Sequence, residues 1–202
     1  AQASGTNSIA LGLATKARGN ESVAIGNSAE TASTATTAMA LGHNVKANGA
    51  SSVAFGNGSV AIGEASIAMG LNGTTTTATA SGAFAGGNAS TASNTNAFAF
   101  GNGAQASGTN SIALGLNTTA AGQYSFTQGY GTNATNESEA VLGQFNLPVP
   151  SAIFQVGDGN TSSSQSNLIS AIKGGIPTDS WMAIGSGTAS PTREYSERLR
   201  VY

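Results

Sequence analysis

The 202-residue sequence contains no cysteine. Disulfides, thiol chemistry and cysteine-based zinc sites are thereby excluded, and the redox compartment is left open. Charge is scarce: Asp, Glu, Lys and Arg make up 8% of the residues, against about a quarter in ordinary domains. A net charge of −2 with seven basic side chains gives no electrostatic grip on nucleic acid. No apolar run approaches the roughly 20 residues of a spanning helix, so no membrane insertion is expected of this stretch. No secretory signal is visible, and the chain starts in mid-pattern at Ala1, as a fragment or processed piece would.

Catalytic side chains are equally sparse. From Ala65 to Asn136, 72 positions pass without Asp, Glu, Lys or Arg. A Ser-His-Asp arrangement would have to join His43, the only histidine, to Asp158 or Asp179, both far along the chain. His43 reads instead as a loop residue after Gly42. Glu137 and Glu139, read as outward or corner residues, are the nearest paired carboxylates that glycoside hydrolysis would require. With two aspartates in all, the calcium-binding nonapeptide roll is excluded. Gly56-Asn57-Gly58 and Gly101-Asn102-Gly103 lack the lysine of a phosphate loop. No enzyme activity, cofactor or metal site is expected. Asn72-Gly73-Thr74 and similar triplets arise from composition alone.

What the sequence does have is small residues. Ala, Gly, Ser, Thr and Asn supply 131 of the 202 positions. Such a composition suggests a disordered linker, but proline occurs only at Pro148, Pro150, Pro177 and Pro191, and the small residues recur at fixed intervals. The motif Ser8-Ile9-Ala10-Leu11-Gly12 returns with glycines at Gly26, Gly42, Gly56, Gly63, Gly70, Gly87, Gly101, Gly115, Gly129 and Gly143. The base step is 14, with two half-steps of 7 around Gly63 and longer steps of 16 and 17 before Gly42 and Gly87. Residues Ala1–Leu13 reappear unchanged at Ala104–Leu116. A disordered tract has no reason to keep phase in this way.

Within each motif large apolar and small residues alternate, as in a β-strand. The closing glycine permits a sharp corner. A strand of about five residues, a corner, a weaker second strand such as Val45–Ala47 and another corner make one coil, and coils stack at about 4.8 Å. The fold class is therefore all-β, a parallel β-roll solenoid of 14-residue coils over 1–143. The large second and fourth positions, Phe98, Phe100, Ile112 and Leu114 among them, are expected inside. The alanines Ala10, Ala24, Ala40, Ala54, Ala61, Ala68, Ala85, Ala99 and Ala113 are expected on the opposite face, as a flat seam for another chain.

Composition shifts near Gln144. A connector is expected over 144–150 and a small β-rich domain over 151–202, with strands at Ile153–Val156, Trp181–Ile184 and Leu199–Tyr202. Leu168–Ile172 reads as a strand or a short helical turn. Five charges fall in Arg193–Arg200.

Ser22-Val23-Ala24-Ile25-Gly26, Ser52-Val53-Ala54-Phe55-Gly56 and Ser111-Ile112-Ala113-Leu114-Gly115 resemble the head repeats of trimeric autotransporter adhesins, the YadA-like family. The resemblance spans about Ala1 to Gly143. It implies a left-handed roll, a homotrimer and display outside a cell, and it links the repeat motif to extracellular matrix proteins. Its binding residues carry over to Ser22, Val23, Ala24, Ile25 and Gly26, then Asn27 and Ser28. The neck, coiled-coil stalk and membrane anchor of such adhesins are not expected within this stretch. The segment after Gly143, with Gln144-Phe145-Asn146-Leu147-Pro148, resembles instead the region after such repeats in phage tail fibres.

The expected function is a homotrimeric attachment fibre on a bacterial surface or a virion tail, binding a cell-surface glycan or an extracellular protein. The alternative is a spacer that binds nothing. Ice binding would need a threonine ladder on every coil, whereas the threonines gather in the long steps, at Thr31–Thr37 and at Gly73, Thr74, Thr75, Thr76 and Thr77. Extra residues in a solenoid bulge at a corner, so the second of these is the candidate contact. The contact would be neutral and polar.

Overall fold

The computed structural model describes residues 1–71, 73–173 and 181–184. Over these residues the chain is all-β, with 23 strands in two sheets that are parallel throughout the coils. One sheet has ten short strands, from Gln2–Ala3 to Asn133–Ala134. The other has thirteen, ten of them the motif strands from Ile9–Leu13 to Ala140–Gln144. The chain alternates between the sheets, one long and one short strand per coil.

Register is uniform. Ile9 pairs with Val23, Val23 with Met39, and so on through Phe98, Ile112, Phe126 and Ala140 to Phe154. The corners are laddered too. Glu21, Thr37, Ser51 and Ala65 all lie in the left-handed region, and their amides donate to the carbonyls of Thr6, Asn20, Thr36 and Ala50 in the preceding coil. The motif glycines stack likewise. A Cβ on Gly101, whose φ is +146°, would stand 2.0 Å from the Gly115 carbonyl oxygen. No side chain fits a corner packed that closely.

The half-steps have a simple cause. Ser59, Val60 and Ala61 lie on the short-strand sheet, between Lys46–Ala47 and Thr76–Ala78. The copy closing at Gly63 is therefore a motif on the other side of an ordinary coil, and Gly56 pairs directly with Gly70. The long steps are accommodated outside the ladder, at 33–34 and around 73–75.

The two faces of each strand are the reverse of the expected assignment. Ala24, Ala40, Ala54, Ala61, Ala68, Ala85, Ala99 and Ala113 are 0% exposed and form the interior, with Ala10 partly buried beside them. Ile9, Leu11, Ile25, Met39, Phe55, Met69, Phe100 and Ile112 lie exposed on the outside. Phe98 and Leu114 are only half-buried. Coil length is the reason. Fourteen residues make a perimeter of about 46 Å at 3.3 Å each, and two sheets folded from it leave room between them for little more than a methyl or hydroxymethyl group. Inside, Ser22, Ser52 and Ser66 use their hydroxyls to close the corner, donating to Gly19, Gly49 and Gly63 carbonyls at 2.6–2.7 Å.

The sheet runs on through the segment where a domain boundary is expected. Ala152–Asp158 pairs in parallel with Ala140–Gln144, Gly143 opposite Gly157, making an eleventh coil. The short-strand sheet stops before it. The Asn146 side chain takes the place of the next short strand, accepting from the Asn133 amide at 2.7 Å and donating to the Asn133 carbonyl at 2.9 Å. The chain then reverses: Asn167–Ile172 and Trp181–Ile184 add antiparallel strands to the same sheet. Leu168–Ile172 is thus strand rather than helical turn. Leu199–Tyr202 and Arg193–Arg200 lie outside the described residues.

Candidate attachment surface

Because a strand has two sides, the motif splits between interior and surface. Of Ser22, Val23, Ala24, Ile25 and Gly26, the side chains of Ser22 and Ala24 are enclosed and cannot touch a ligand. Val23 and Ile25 face outward with Asn27. Repeated over eleven coils, this outward side makes two adjacent columns of large apolar residues. The fourth-position column runs from Leu11, 62% exposed, through Phe55 to Phe100, 51% exposed.

Two breaks in these columns have local causes. Gly86 stands in the fourth-position column where the Phe84 and Phe100 rings close over it; a Cβ there would lie 2.6 Å from Phe100 Cδ2. Phe84 and Phe98 stack with centroids 4.6 Å apart and planes 6° from parallel. Ala140 sits between Phe126 and Phe154.

The outward side of the short-strand sheet is of another kind. Lys16, Glu30 and Lys46 occupy successive strands, and Arg18 donates to Glu30 Oε1 at 2.5 Å. Further along, the equivalent positions are Val60 and then Thr77, Thr91, Gln105, Thr119 and Asn133.

The candidate contact Gly73–Thr77 divides in the same way. Thr76 is enclosed, its hydroxyl donating to the Gly87 carbonyl at 2.9 Å, and Thr77 is half-buried in the short strand Thr76–Ala78. Gly73, Thr74 and Thr75 are exposed. Thr74 donates to the Asn88 side chain and to the Leu71 carbonyl. His43 is exposed and pairs with Asn57 Oδ1 at 3.1 Å. Among the described residues no group of acidic, histidine or cysteine side chains is placed to hold a metal, and no helix is long and apolar enough to cross a membrane.

Among the described residues one carboxyl is enclosed. Glu139 occupies the place of the motif serine, 1% exposed. Its Oε2 accepts from the Thr135 and Asn136 amides and from Asn136 Nδ2 at 2.8–2.9 Å, while Oε1 has no partner. Burial pushes its pKa above the ordinary 4.5, against the opposing effect of those hydrogen bonds. Sequence reasoning misses this residue, because a roll with a large apolar core has no place for an interior glutamate.

Period, register and glycine corners agree with one known family. The YadA head domain repeat matches residues 3–29, 33–59, 47–72, 92–118 and 106–126, together just over half of the chain. The chain belongs to the YadA head-repeat family. Such heads are parts of surface-exposed adhesins of the trimeric autotransporter type. The residues between 73 and 91, with most of the longest corner, fall between matched stretches, and everything after 126 lies beyond them. No curated protein sequence matches the chain.

Proposed function

We propose that this YadA-type head is displayed outside a cell as a homotrimer and serves attachment, with three copies joined along the outer face of the long-strand sheet. The observation that carries the reading is that face itself. A chain with 8% charged residues and 131 small ones still places Ile9, Leu11, Ile25, Phe55, Met69 and Phe100 in register on its exterior. Contiguous apolar area of this kind marks an interaction surface, and closed symmetric assemblies are the usual solution for a self-complementary one. The alanine row is enclosed and plays no part in it. In this arrangement the polar short-strand sheets and the corners at 33–37 and 73–75 remain outside, available to a receptor.

The test of assembly is Phe55→Ser with Phe100→Ser. The expected result in sedimentation is a fall from three-chain to one-chain mass; a trimer of unchanged mass overturns the interface. The receptor contact is neutral, because no charged side chain lies between Ala65 and Asn136. Salt screens charges and leaves neutral hydrogen bonds largely intact, so cell binding should change little from low to physiological salt. The exposed corner Gly73–Thr75 is the proposed contact. Deleting these three residues restores a 14-residue coil with Thr76 in the place of Ser59, so the fold should persist while cell binding falls. Full binding by the deletion removes this corner from the site, and absence of binding by the parent trimer leaves the spacer role.

A further inference from the structure

Where the short-strand sheet ends, the chain builds a cleft that no repeat contains. Phe145, with φ +40°, occupies the left-handed corner position that Asn117 and Gly131 hold in the two preceding coils, so the corner itself is regular and the large side chain on it is not. Its ring lies over Gly131 so closely that a Cβ there would stand 2.5 Å from it. It tilts onto Tyr130 with centroids 4.5 Å apart at 59°. The reversal at 159–166 folds over this pair: Gly159 donates to the Gln144 carbonyl and Ser166 to the Phe145 carbonyl, each at 3.2 Å. Between this turn and the last short strands lies a cavity of about 420 Å³, within the range of small-ligand clefts, about 300–1,000 Å³.

Its lining combines one aromatic wall with neutral hydrogen-bonding groups. Tyr130, 42% exposed, supplies the accessible part of the wall with Phe145 behind it. Asn117, Thr119, Asn133 and Gln165 supply amides and hydroxyls. Asn133 Oδ1 is buried without a partner. Among the described residues none that lines the cleft carries a charge, and the nearby Asp158 is engaged by the Ser166 hydroxyl at 2.5 Å.

We propose that this cleft binds a neutral saccharide unit. A pyranose ring presents an apolar C–H face, which suits the Tyr130 ring, and a rim of vicinal hydroxyls that both donate and accept. Amide side chains such as Asn117 and Gln165 meet such hydroxyls with paired donor and acceptor atoms. An anionic or cationic ligand would find no counter-charge here. The cleft stands apart from the corner 73–75, four long strands or roughly 20 Å along the rod, and its occupation does not depend on that corner.

The experiment applies the full chain to a glycan array containing neutral, sialylated and sulfated oligosaccharides, and then uses calorimetry with the best neutral probe. The expected result is selection of neutral glycans with affinity insensitive to salt. Tyr130→Ala should weaken binding roughly tenfold, Tyr130→Phe should retain it, and Gln165→Ala, on the turn and outside the coil ladder, should weaken it with an unchanged melting curve. Deletion of Gly73–Thr75 should leave saccharide binding intact even if cell attachment is lost, which separates this site from the proposed corner contact. No neutral glycan bound, preference for sialylated or sulfated glycans with steep salt dependence, or full affinity in both Tyr130→Ala and Gln165→Ala overturns the proposal.

Discussion

The two sheets of the roll share one interior, one register and one set of corners, yet their outer faces differ over most of their length. The long strands turn Ile, Val, Leu, Met and Phe outward; the short strands turn out Lys, Glu, Thr, Gln and Asn, with Val60 the exception among them. The interior cannot cause this difference, since both sheets put alanine, serine and threonine into it. Stability of the single coil stack is thus built from small side chains and backbone pairing. The large apolar residues are left over for contact with something else. In most domains the biggest hydrophobic side chains report the core; here they lie outside it.

That contrast can be broken hardest from inside. Ala99→Arg forces a charge between Ala85 and Ala113 at a position with no exposure, and should cost more than about 4 kcal/mol. Loss of the cooperative thermal transition is the expected readout. Gly101→Ala attacks the corner shared by both sheets and should cost about 3 kcal/mol through strain and overpacking, measured by denaturant midpoint.

A pH titration probes the enclosed carboxyl of Glu139. A folded pKa above the unfolded one means that the fold binds the proton more tightly. The contribution of Glu139 is therefore complete below about pH 4.5 and declines as pH rises from there through the raised folded value. Glu139→Gln should flatten that decline in a melting series, and a parent curve that rises with pH over this window as steeply as the variant's contradicts the assignment.

Substitutions on the outer faces should act more weakly on the single chain and differ from each other. Phe98→Ala removes the stack on Phe84 and should cost about 1 kcal/mol within one chain, together with a visible loosening of the trimer by sedimentation. Thr91→Lys with Thr119→Lys on the short-strand face should stay within about 0.5 kcal/mol and leave the mass unchanged. Trimer loss from the threonine pair would place the interface on the other sheet.

Much of this architecture is legible in the sequence. The 14-residue step, the strand and its glycine corner can be read from Ser22–Gly26 and its copies, because a chain keeps phase over so many copies only when its coils stack. What alternation cannot supply is its sign. Ile25 and Ala24 point to opposite sides in any strand, and only the narrow space enclosed by 14 residues decides that Ala24 goes inside. The copy at Ser59–Gly63 reads as a shorter coil only while every motif is assigned to the same sheet. The candidate site is less readable still. Ser22, Ala24 and Thr76 carry the motif or the insertion but are enclosed. The cleft at Tyr130 joins residues from coils 14 positions apart with a turn some thirty residues downstream, and no local pattern announces it.

The uniform register also bears on how such rods change length. The identical stretches Ala1–Leu13 and Ala104–Leu116 occupy equivalent places in the pairing, Ala10 in the row of Ala113. Recombination between them would remove 103 positions and join Leu13 directly to Asn117. Asn117 is a left-handed corner residue like the Ala14 it would replace, so the downstream coils would fall in step. Seven coils, about 34 Å of reach, would be lost along with both long corners, and every remaining junction would be one the rod already uses. Reach from the cell is then a quantity that inheritance can adjust by whole coils without redesigning a single contact, while the cleft at the far end is carried along intact.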